Sequence, residues 1–214
     1  MSTVLAATRE LMRKLKLTTV FGNPGSSEES FLRDFPDDFR YVLALHEASV
    51  VGIADGYAQA TGEPALVNLH SSAGVGNAMG NITNAWHNHT PLIITAGQQT
   101  REMLLLEPYL TNLEPAELPK PFVKWSYQPM RAEDVPAAFM RAYATAVQPP
   151  AGPVFLSLPW DDMGKQCPRA PVARTVSRRL FTAREALRSV GEALDRAASG
   201  NVPPSVELRV VAAA

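Results

Sequence analysis

The chain has 214 residues, of which 46% are hydrophobic and 19% are charged, so it can bury a sizeable core and does not have the composition of a disordered protein. A net charge of −1 and a pI near 6.4 provide no basic surface for nucleic acid or for an anionic membrane. The one cysteine, Cys167, cannot form an internal disulfide, and we find neither a signal peptide nor an apolar span of about 18 residues, which predicts a cytoplasmic protein.

Strands and helices are predicted to alternate through the first 160 residues. Apolar positions at helical spacing predict helices, and short unbroken apolar runs predict buried strands. In chain order these are a helix over 4–15, a strand over 18–22, a helix from 26 to about 35, a strand over 41–45, a helix over 47–61, a strand over 64–70, a helix over 74–86, a strand over 91–97, an irregular stretch over 100–131, a helix over 133–147 and a strand over 152–159. This alternation predicts an α/β fold, a doubly wound parallel sheet with helices on both faces.

The remaining residues have a different character. Residues 164–182 predict a linker, because two prolines and five basic residues combine there with weak periodicity. One more amphipathic helix is predicted over 182–199, and the residues after it are too few for a domain.

Polar side chains follow three successive predicted strands at the point where each strand ends. Asn23 and Ser26 follow the first strand, His46 and Glu47 the second, and His70 with Ser71 and Ser72 the third. Three of them have an ordinary structural explanation: Ser26 as a helix cap with Glu29 in a capping box, Glu47 as an acid in a first helical turn, and His70 as a core histidine. Ligands bind at the carboxyl ends of strands in open α/β sheets, so three such groups favour a functional site if the strands are neighbours.

Other kinds of site are disfavoured. The segment GVGNAMG (74–80) comes close to a dinucleotide fingerprint, but its last glycine is one residue late and no acidic residue ends the next strand. Glu28 and Glu29 would repel phosphate from the turn GNPGSSEE. His87 and His89 lack a third metal ligand in register, and the G-x-S-x-G elbow of α/β-hydrolases is absent.

FGNPGS, HEASVVGIADGYAQATG and SSAGVGNAMGNITNAW occur in this order, and with them the chain resembles the N-terminal, pyrimidine-binding domain of thiamine-diphosphate-dependent 2-oxo acid decarboxylases and acetolactate synthases. The resemblance covers about residues 1–163 and ends at GPVFLSLPWDD. FGNPGS, LVNLHSSAG, ITAGQQTR and FVKWSYQP are most similar to the benzoylformate decarboxylase branch. The pyruvate decarboxylase branch usually has a His-His pair after the fourth strand, and none lies between Gln98 and Met130.

The resemblance implies a role for each group at the strand ends. In the family, a glutamate at the position of Glu47 hydrogen-bonds N1′ of the aminopyrimidine of thiamine diphosphate and so activates the cofactor, while Ser26 and His70 face the substrate. These three are the expected catalytic residues. Further residues implied in cofactor or substrate binding are Pro24, Gly25 and Asn77 around the pyrimidine and Leu110 at the apolar end of the substrate. Burial at a strand end would raise the pKa of Glu47.

Relatives are more than twice as long, and they hold the diphosphate and Mg²⁺ or Ca²⁺ in a C-terminal domain whose Gly-Asp-Gly segment is absent here. We therefore expect a pyrimidine-binding domain over 1–163, a linker over 164–182 and, over 183–214, the first helix of an incomplete central domain with an atypical tail, with no metal site. The chain would be the N-terminal part of a carbon–carbon lyase that converts benzoylformate or another aryl 2-oxo acid to an aldehyde and carbon dioxide. It would be inactive alone, and the full-length family forms homodimers or homotetramers. Open alternatives are a silent truncated or split-subunit domain, with a separate diphosphate-domain subunit, and an acetolactate-synthase-like fragment.

Overall fold

The computed structural model describes residues 2–169, 171–178 and 184–198, and the chain divides into two units, 1–176 and 177–214. The described strands are β1 (Ser2–Thr3), β2 (Thr19–Asn23), β3 (Arg40–Leu43), β4 (Ala65–Leu69), β5 (Leu92–Gln98), β6 (Ser126–Tyr127), β7 (Val154–Pro159) and β8 (Gln166–Cys167). Six of them form a sheet in the order β3-β2-β4-β5-β7-β6, and every pairing in it is parallel. The predicted parallel α/β sheet is therefore confirmed.

Helices cover both faces of this sheet. The described α-helices are α1 (Val4–Lys14), α2 (Glu29–Leu32), α3 (Glu47–Thr61), α4 (Ser71–His87) and α5 (Val135–Val147) in the first unit and α6 (Arg184–Ala198) in the second. Neighbouring residues of β5 alternate between two apolar cores: Ile93 packs with α1 and α5, and Ile94 packs with α3 and α4. Both side chains are fully buried, as expected for a strand covered on both faces.

The order of the strands brings the polar residues at their ends together. β2 lies between β3 and β4, with Gly22 opposite Leu43 and Asn23 opposite Leu69. Because all three strands run in the same direction, the turns that follow them leave from one edge of the sheet. This edge carries the residues that the sequence singles out.

The second predicted strand differs from expectation in its environment. Residues 41–45 are predicted as a buried strand, but β3 spans Arg40–Leu43 and lies at the edge of the sheet. Leu43 and Leu45 are 59% and 90% exposed. An edge strand pairs on one side only, so its apolar run is not enclosed as that of a central strand is.

The predicted helix from 26 to about 35 is also shorter than expected. A 3₁₀ turn over Ser26–Glu28 precedes α2, which ends at Leu32. The residue before the turn is Gly25, so the prediction of Ser26 as the N-cap is wrong. Asp34 then adopts a left-handed conformation, and the Arg9 guanidinium donates to the carbonyl of Asp34 at 2.9 Å. The helix therefore ends where a buried arginine satisfies free carbonyl groups.

The second half of the chain adds smaller differences. β6 lies inside the predicted irregular stretch 100–131, and β8, within the predicted linker 164–182, pairs antiparallel with β1. The predicted last helix is present as α6, whereas the predicted tail beyond residue 198 lies outside the described residues. Within the described part of the chain, no helix has the length and apolar character needed to cross a membrane. The same part of the chain contains no group of three His, Cys, Asp or Glu side chains that could hold a metal ion.

Candidate active site

Glu47 begins α3 and is held by two side-chain amides from neighbouring elements. Asn23, at the end of β2, donates to Oε1 at 3.1 Å, and Asn77, on α4, donates to Oε2 at 3.0 Å. The residue is 7% exposed. A Cβ added to Gly74 would lie 3.2 Å from Glu47 Cγ, so α4 passes close to this side chain. The carboxylate is therefore oriented from two sides and keeps lone pairs for a further donor.

The pKa of Glu47 shifts in the direction opposite to the prediction. Desolvation by burial acts to raise the pKa, but hydrogen bonds from Asn77, a backbone N–H and Asn23 stabilise the ionised form, and the pKa of Glu47 is lowered overall. The predicted rise in the pKa is therefore wrong for this chain. The strand-end site is not simply apolar, because two asparagine amides line it.

A second carboxylate, Glu28, lies at the centre of the same edge of the sheet. It is 1% exposed, and its two oxygens are contacted by three backbone N–H groups, a hydroxyl and an imidazole. Oε1 accepts from Ser27 Oγ at 2.8 Å, Ser71 N at 3.2 Å and Gly97 N at 2.7 Å, and Oε2 contacts Gly25 N and His70 Nδ1, both at 2.8 Å. One side chain thus joins the turns that follow β2 and β4 to the end of β5.

Two glycines make room for this arrangement. A Cβ on Gly25 would lie within 3.0 Å of the His70 ring, and a Cβ on Gly97 would lie within 3.0 Å of both Glu28 Oε1 and the Ser27 carbonyl. Real Cβ atoms essentially never approach other atoms so closely. Glycine is therefore required at both positions by close approach.

Leu110 lies in a loop that is anchored to the same end of β5. Its backbone has a left-handed conformation with φ of 71°, and its side chain is half-buried. Two residues later, the Asn112 side chain donates to the Gly97 carbonyl at 2.8 Å and to Ser157 Oγ at 3.1 Å. The Gln98 side chain accepts from Asn112 N at 2.8 Å. These buried hydrogen bonds fix the loop that carries Leu110.

The residues predicted from the sequence fall into two connected groups. Glu47 and Asn77 form one through their direct hydrogen bond, and His70 and Gly25 form the other through close packing. The turn over 23–28 contacts both, through Asn23 on one side and Glu28 on the other. Ser26 and Pro24 lie in this turn and are exposed.

The sequence does not reveal three features of the site: the central place of Glu28, the hydrogen bond from Asn23 to Glu47, and the contribution of Asn112. The spacing contains one signal for Glu28, because its side chain accepts from the backbone N–H of Gly25, three residues earlier, as in a capping box. The prediction assigned that role to Glu29, which is exposed.

The chain is similar in sequence to known thiamine pyrophosphate enzymes. The family model described as the thiamine pyrophosphate enzyme, N-terminal TPP binding domain, matches residues 2–116. Benzoylformate decarboxylase of Pseudomonas aeruginosa is 53% identical over 199 residues, which is 92% of this chain and 38% of that protein. The acetolactate synthase isozyme 3 large subunit of Escherichia coli is 31% identical over 148 residues, covering 66% of this chain and 25% of that protein.

Two solved structures share the fold. Benzoylformate decarboxylase of Polynucleobacter necessarius has 61% identity and a TM-score of 0.89, over 91% of this chain and 36% of that one. The thiamine diphosphate-dependent 4-hydroxybenzoylformate decarboxylase of Rhodococcus jostii has 47% identity and a TM-score of 0.87, over 91% of this chain and 37% of that one. The chain thus spans less than two fifths of the length of each of these relatives.

Proposed function

We propose that this chain, which belongs to the family of thiamine pyrophosphate enzymes and contains their N-terminal TPP binding domain, acts as the N-terminal part of an aryl 2-oxo acid decarboxylase. The reaction would convert benzoylformate, or a ring-substituted relative, to an aldehyde and carbon dioxide. Higher identity to a benzoylformate decarboxylase than to an acetolactate synthase, 53% against 31%, favours this activity over the synthase alternative. The observation that carries the proposal is the buried carboxylate of Glu47.

The donors and acceptors around Glu47 suit the pyrimidine of thiamine diphosphate. Asn23, Asn77 and a backbone N–H occupy three of the about four lone-pair sites of the carboxylate, so one remains for a ring nitrogen that carries a proton. When bound, the cofactor would supply the nucleophilic carbon and take up the electrons released as carbon dioxide leaves. Glu47 would orient the pyrimidine and share a proton with it, and Pro24 and Gly25 would contribute to its walls.

The substrate would meet the other residues of this edge. The exposed hydroxyl of Ser26 is free to donate to a substrate carboxylate, and the partly exposed His70 would accept or return a proton at the oxygen or carbon derived from the keto group. The anchored loop would place Leu110 against the aromatic ring, since an apolar side chain suits that end of the substrate.

A chimeric enzyme tests the proposal. Residues 2–169 of this chain would replace the matching segment of the Pseudomonas aeruginosa benzoylformate decarboxylase, and decarboxylation of benzoylformate would be measured. We expect activity, and we expect Glu47→Gln to reduce kcat about 100-fold or more, whereas Glu29→Gln, an exposed control, should have no effect. Near-normal turnover with Glu47→Gln, or a folded chimera without activity, would overturn the assignment.

We also propose that the chain forms dimers through α3 and α4. Three glycines on these helices, Gly56, Gly76 and Gly80, have no atom within 4 Å of an added Cβ, and Tyr57 of α3 is 38% exposed. Such small-residue surfaces allow helices of two copies to approach closely. Sedimentation at micromolar concentration should show a dimer, and Gly56→Glu should dissociate it while Gly191→Glu on α6 does not. A monomeric native chain would contradict this proposal.

A further inference from the structure

We propose that Glu28 is a positioning residue that fixes the neutral imidazole of His70 in the tautomer with its hydrogen on Nδ1. Nε2 is then left with a free lone pair as the proton-accepting atom of the ring. The inference concerns the ground state of this chain, and its chemical meaning rests on the role of His70 in the proposed function. The hydrogen bonds around Glu28 support this assignment of the His70 tautomer.

Glu28 can act only as an acceptor toward most of its neighbours. Backbone N–H groups are obligatory donors, and two of them, from Ser71 and Gly97, point at Oε1, while that of Gly25 points at Oε2. A carboxylate accepts from such donors with stronger, charge-assisted hydrogen bonds than a carboxylic acid does. The ionised form satisfies all of them at once, and Oε2 then offers a lone pair to His70 Nδ1 at 2.8 Å.

The second neighbour of Nδ1 leads to the same assignment. Ser27 Oγ lies 3.1 Å from His70 Nδ1, and its own hydrogen is donated to Glu28 Oε1 at 2.8 Å. Toward the imidazole it therefore presents a lone pair as well. Both polar atoms beside Nδ1 are acceptors, and an unprotonated Nδ1 would leave the ring facing two acceptors without a donor.

The chain contains an internal reference with the opposite arrangement. His46 precedes α3, and its Nδ1 accepts the backbone N–H of Ala48 at 3.2 Å. Because Nδ1 of His46 is the acceptor, its neutral ring carries hydrogen on Nε2. The two histidines should therefore show opposite tautomers in the same sample.

Under the proposed function, the tautomer of His70 determines which ring nitrogen exchanges a proton. With Nδ1–H held by Glu28, Nε2 can take up a proton and return it without any rotation of the ring, because the bond to the carboxylate persists in both charge states. The carboxylate itself does not need to touch the substrate. Glu28 acts through His70.

Nitrogen-15 chemical shifts measured on the full 214-residue chain by long-range ¹H–¹⁵N correlation test the inference, since protonated and unprotonated ring nitrogens differ strongly. At a pH where the imidazoles are neutral, we expect His70 Nδ1 and His46 Nε2 to be the protonated atoms. If His70 instead carries its hydrogen on Nε2, the inference is wrong.

Variants identify which group sets the tautomer. In Glu28→Gln, the new amide keeps most backbone donors satisfied only if its oxygen takes the place of Oε1, which leaves its NH₂ group facing His70 Nδ1. The His70 hydrogen should then move to Nε2. Ser27→Ala and the exposed control Glu29→Gln should leave it on Nδ1.

The two variants distinguish Glu28 from Ser27 as the residue that sets the tautomer of His70. A folded Glu28→Gln chain that retains the Nδ1–H form would show that Glu28 does not determine the tautomer. If Glu28→Gln does not fold, Ser27→Ala decides, because a change of tautomer there would assign the role to Ser27. These spectra need neither cofactor nor turnover, so an inactive chimera would overturn the proposed function and leave the tautomer assignment standing.

Discussion

Replacing Gly97 by alanine should strongly destabilise the first unit. The added Cβ would lie within 3.0 Å of the Ser27 carbonyl and of the Glu28 carboxylate, which is itself held by Gly25 and His70. Overpacking of this kind costs about 1–3 kcal/mol. The hydrogen bond from Gly97 N to the carboxylate contributes about 1.5–3 kcal/mol. The free energy of unfolding should therefore fall by about 2.5–6 kcal/mol, a large share of the about 5–15 kcal/mol typical of a domain.

Urea unfolding followed by tryptophan fluorescence measures this loss, because all the tryptophans belong to the first unit: Trp86, Trp125 and Trp160. Gly164→Ala is the matched control, since Gly164 is exposed in the first unit and has no atom within 4 Å of an added Cβ. Alanine there should change the free energy of unfolding by less than about 0.5 kcal/mol. A Gly97→Ala chain as stable as the native one would refute the close packing around Glu28.

Three further predictions follow from the site. The folded-state pKa of Glu47 is lowered from 4.5, so its ionisation stabilises the fold above about pH 4.5, and this contribution is lost as the pH falls through the lowered value. Glu47→Gln should therefore narrow the difference between the urea midpoints measured at neutral and at acid pH. An unchanged difference would contradict the direction of the pKa shift. Asn112→Ala should cost about 1–3 kcal/mol and speed proteolysis of the Leu110 loop, whereas Asn84→Ala, on an exposed helix face, should do neither. In calorimetry with Mg²⁺, the chain alone should bind thiamine diphosphate weakly or undetectably. One hydrogen bond to a charged group contributes about 1.5–3 kcal/mol, whereas the freedom lost on association costs about 4–15 kcal/mol. A submicromolar Kd would contradict this expectation.

The sequence predicts helices and strands best where the local residue pattern by itself determines the element and its burial. The helix predicted over 47–61 has the observed bounds of α3, because a strand ends before it and Gly62 closes it in a left-handed conformation with φ of 69°. Unbroken apolar runs predicted the central strands for the same reason, since burial on both faces removes the alternation of polar residues. Fold and family could therefore be predicted from local signals.

The arrangement around Glu28 could not be predicted in this way. Its partners Ser71 and Gly97 lie 43 and 69 residues away along the chain, so no local spacing reveals them. Ser26 was predicted as the cap because serine is a common N-cap, yet Gly25 fills that position because the His70 ring leaves no room for a side chain. The pKa of Glu47 likewise depends on Asn77, 30 residues away.

The two peptide groups of Gly97 form hydrogen bonds with different parts of the site, and this limits how the proposed substrate range could be redesigned. The N–H bonds to the carboxylate beside His70, while the carbonyl accepts from Asn112 in the loop that carries Leu110. A library that varies Leu110, the proposed wall of the substrate site, would leave the hydrogen bond from Asn112 in place. A library that grafts a whole foreign loop without an asparagine at 112 would remove the hydrogen bonds to the Gly97 carbonyl and to Ser157. Under the proposed function, grafts with and without an asparagine at 112 would therefore separate the effect of this hydrogen bond on activity from the fit of a new substrate.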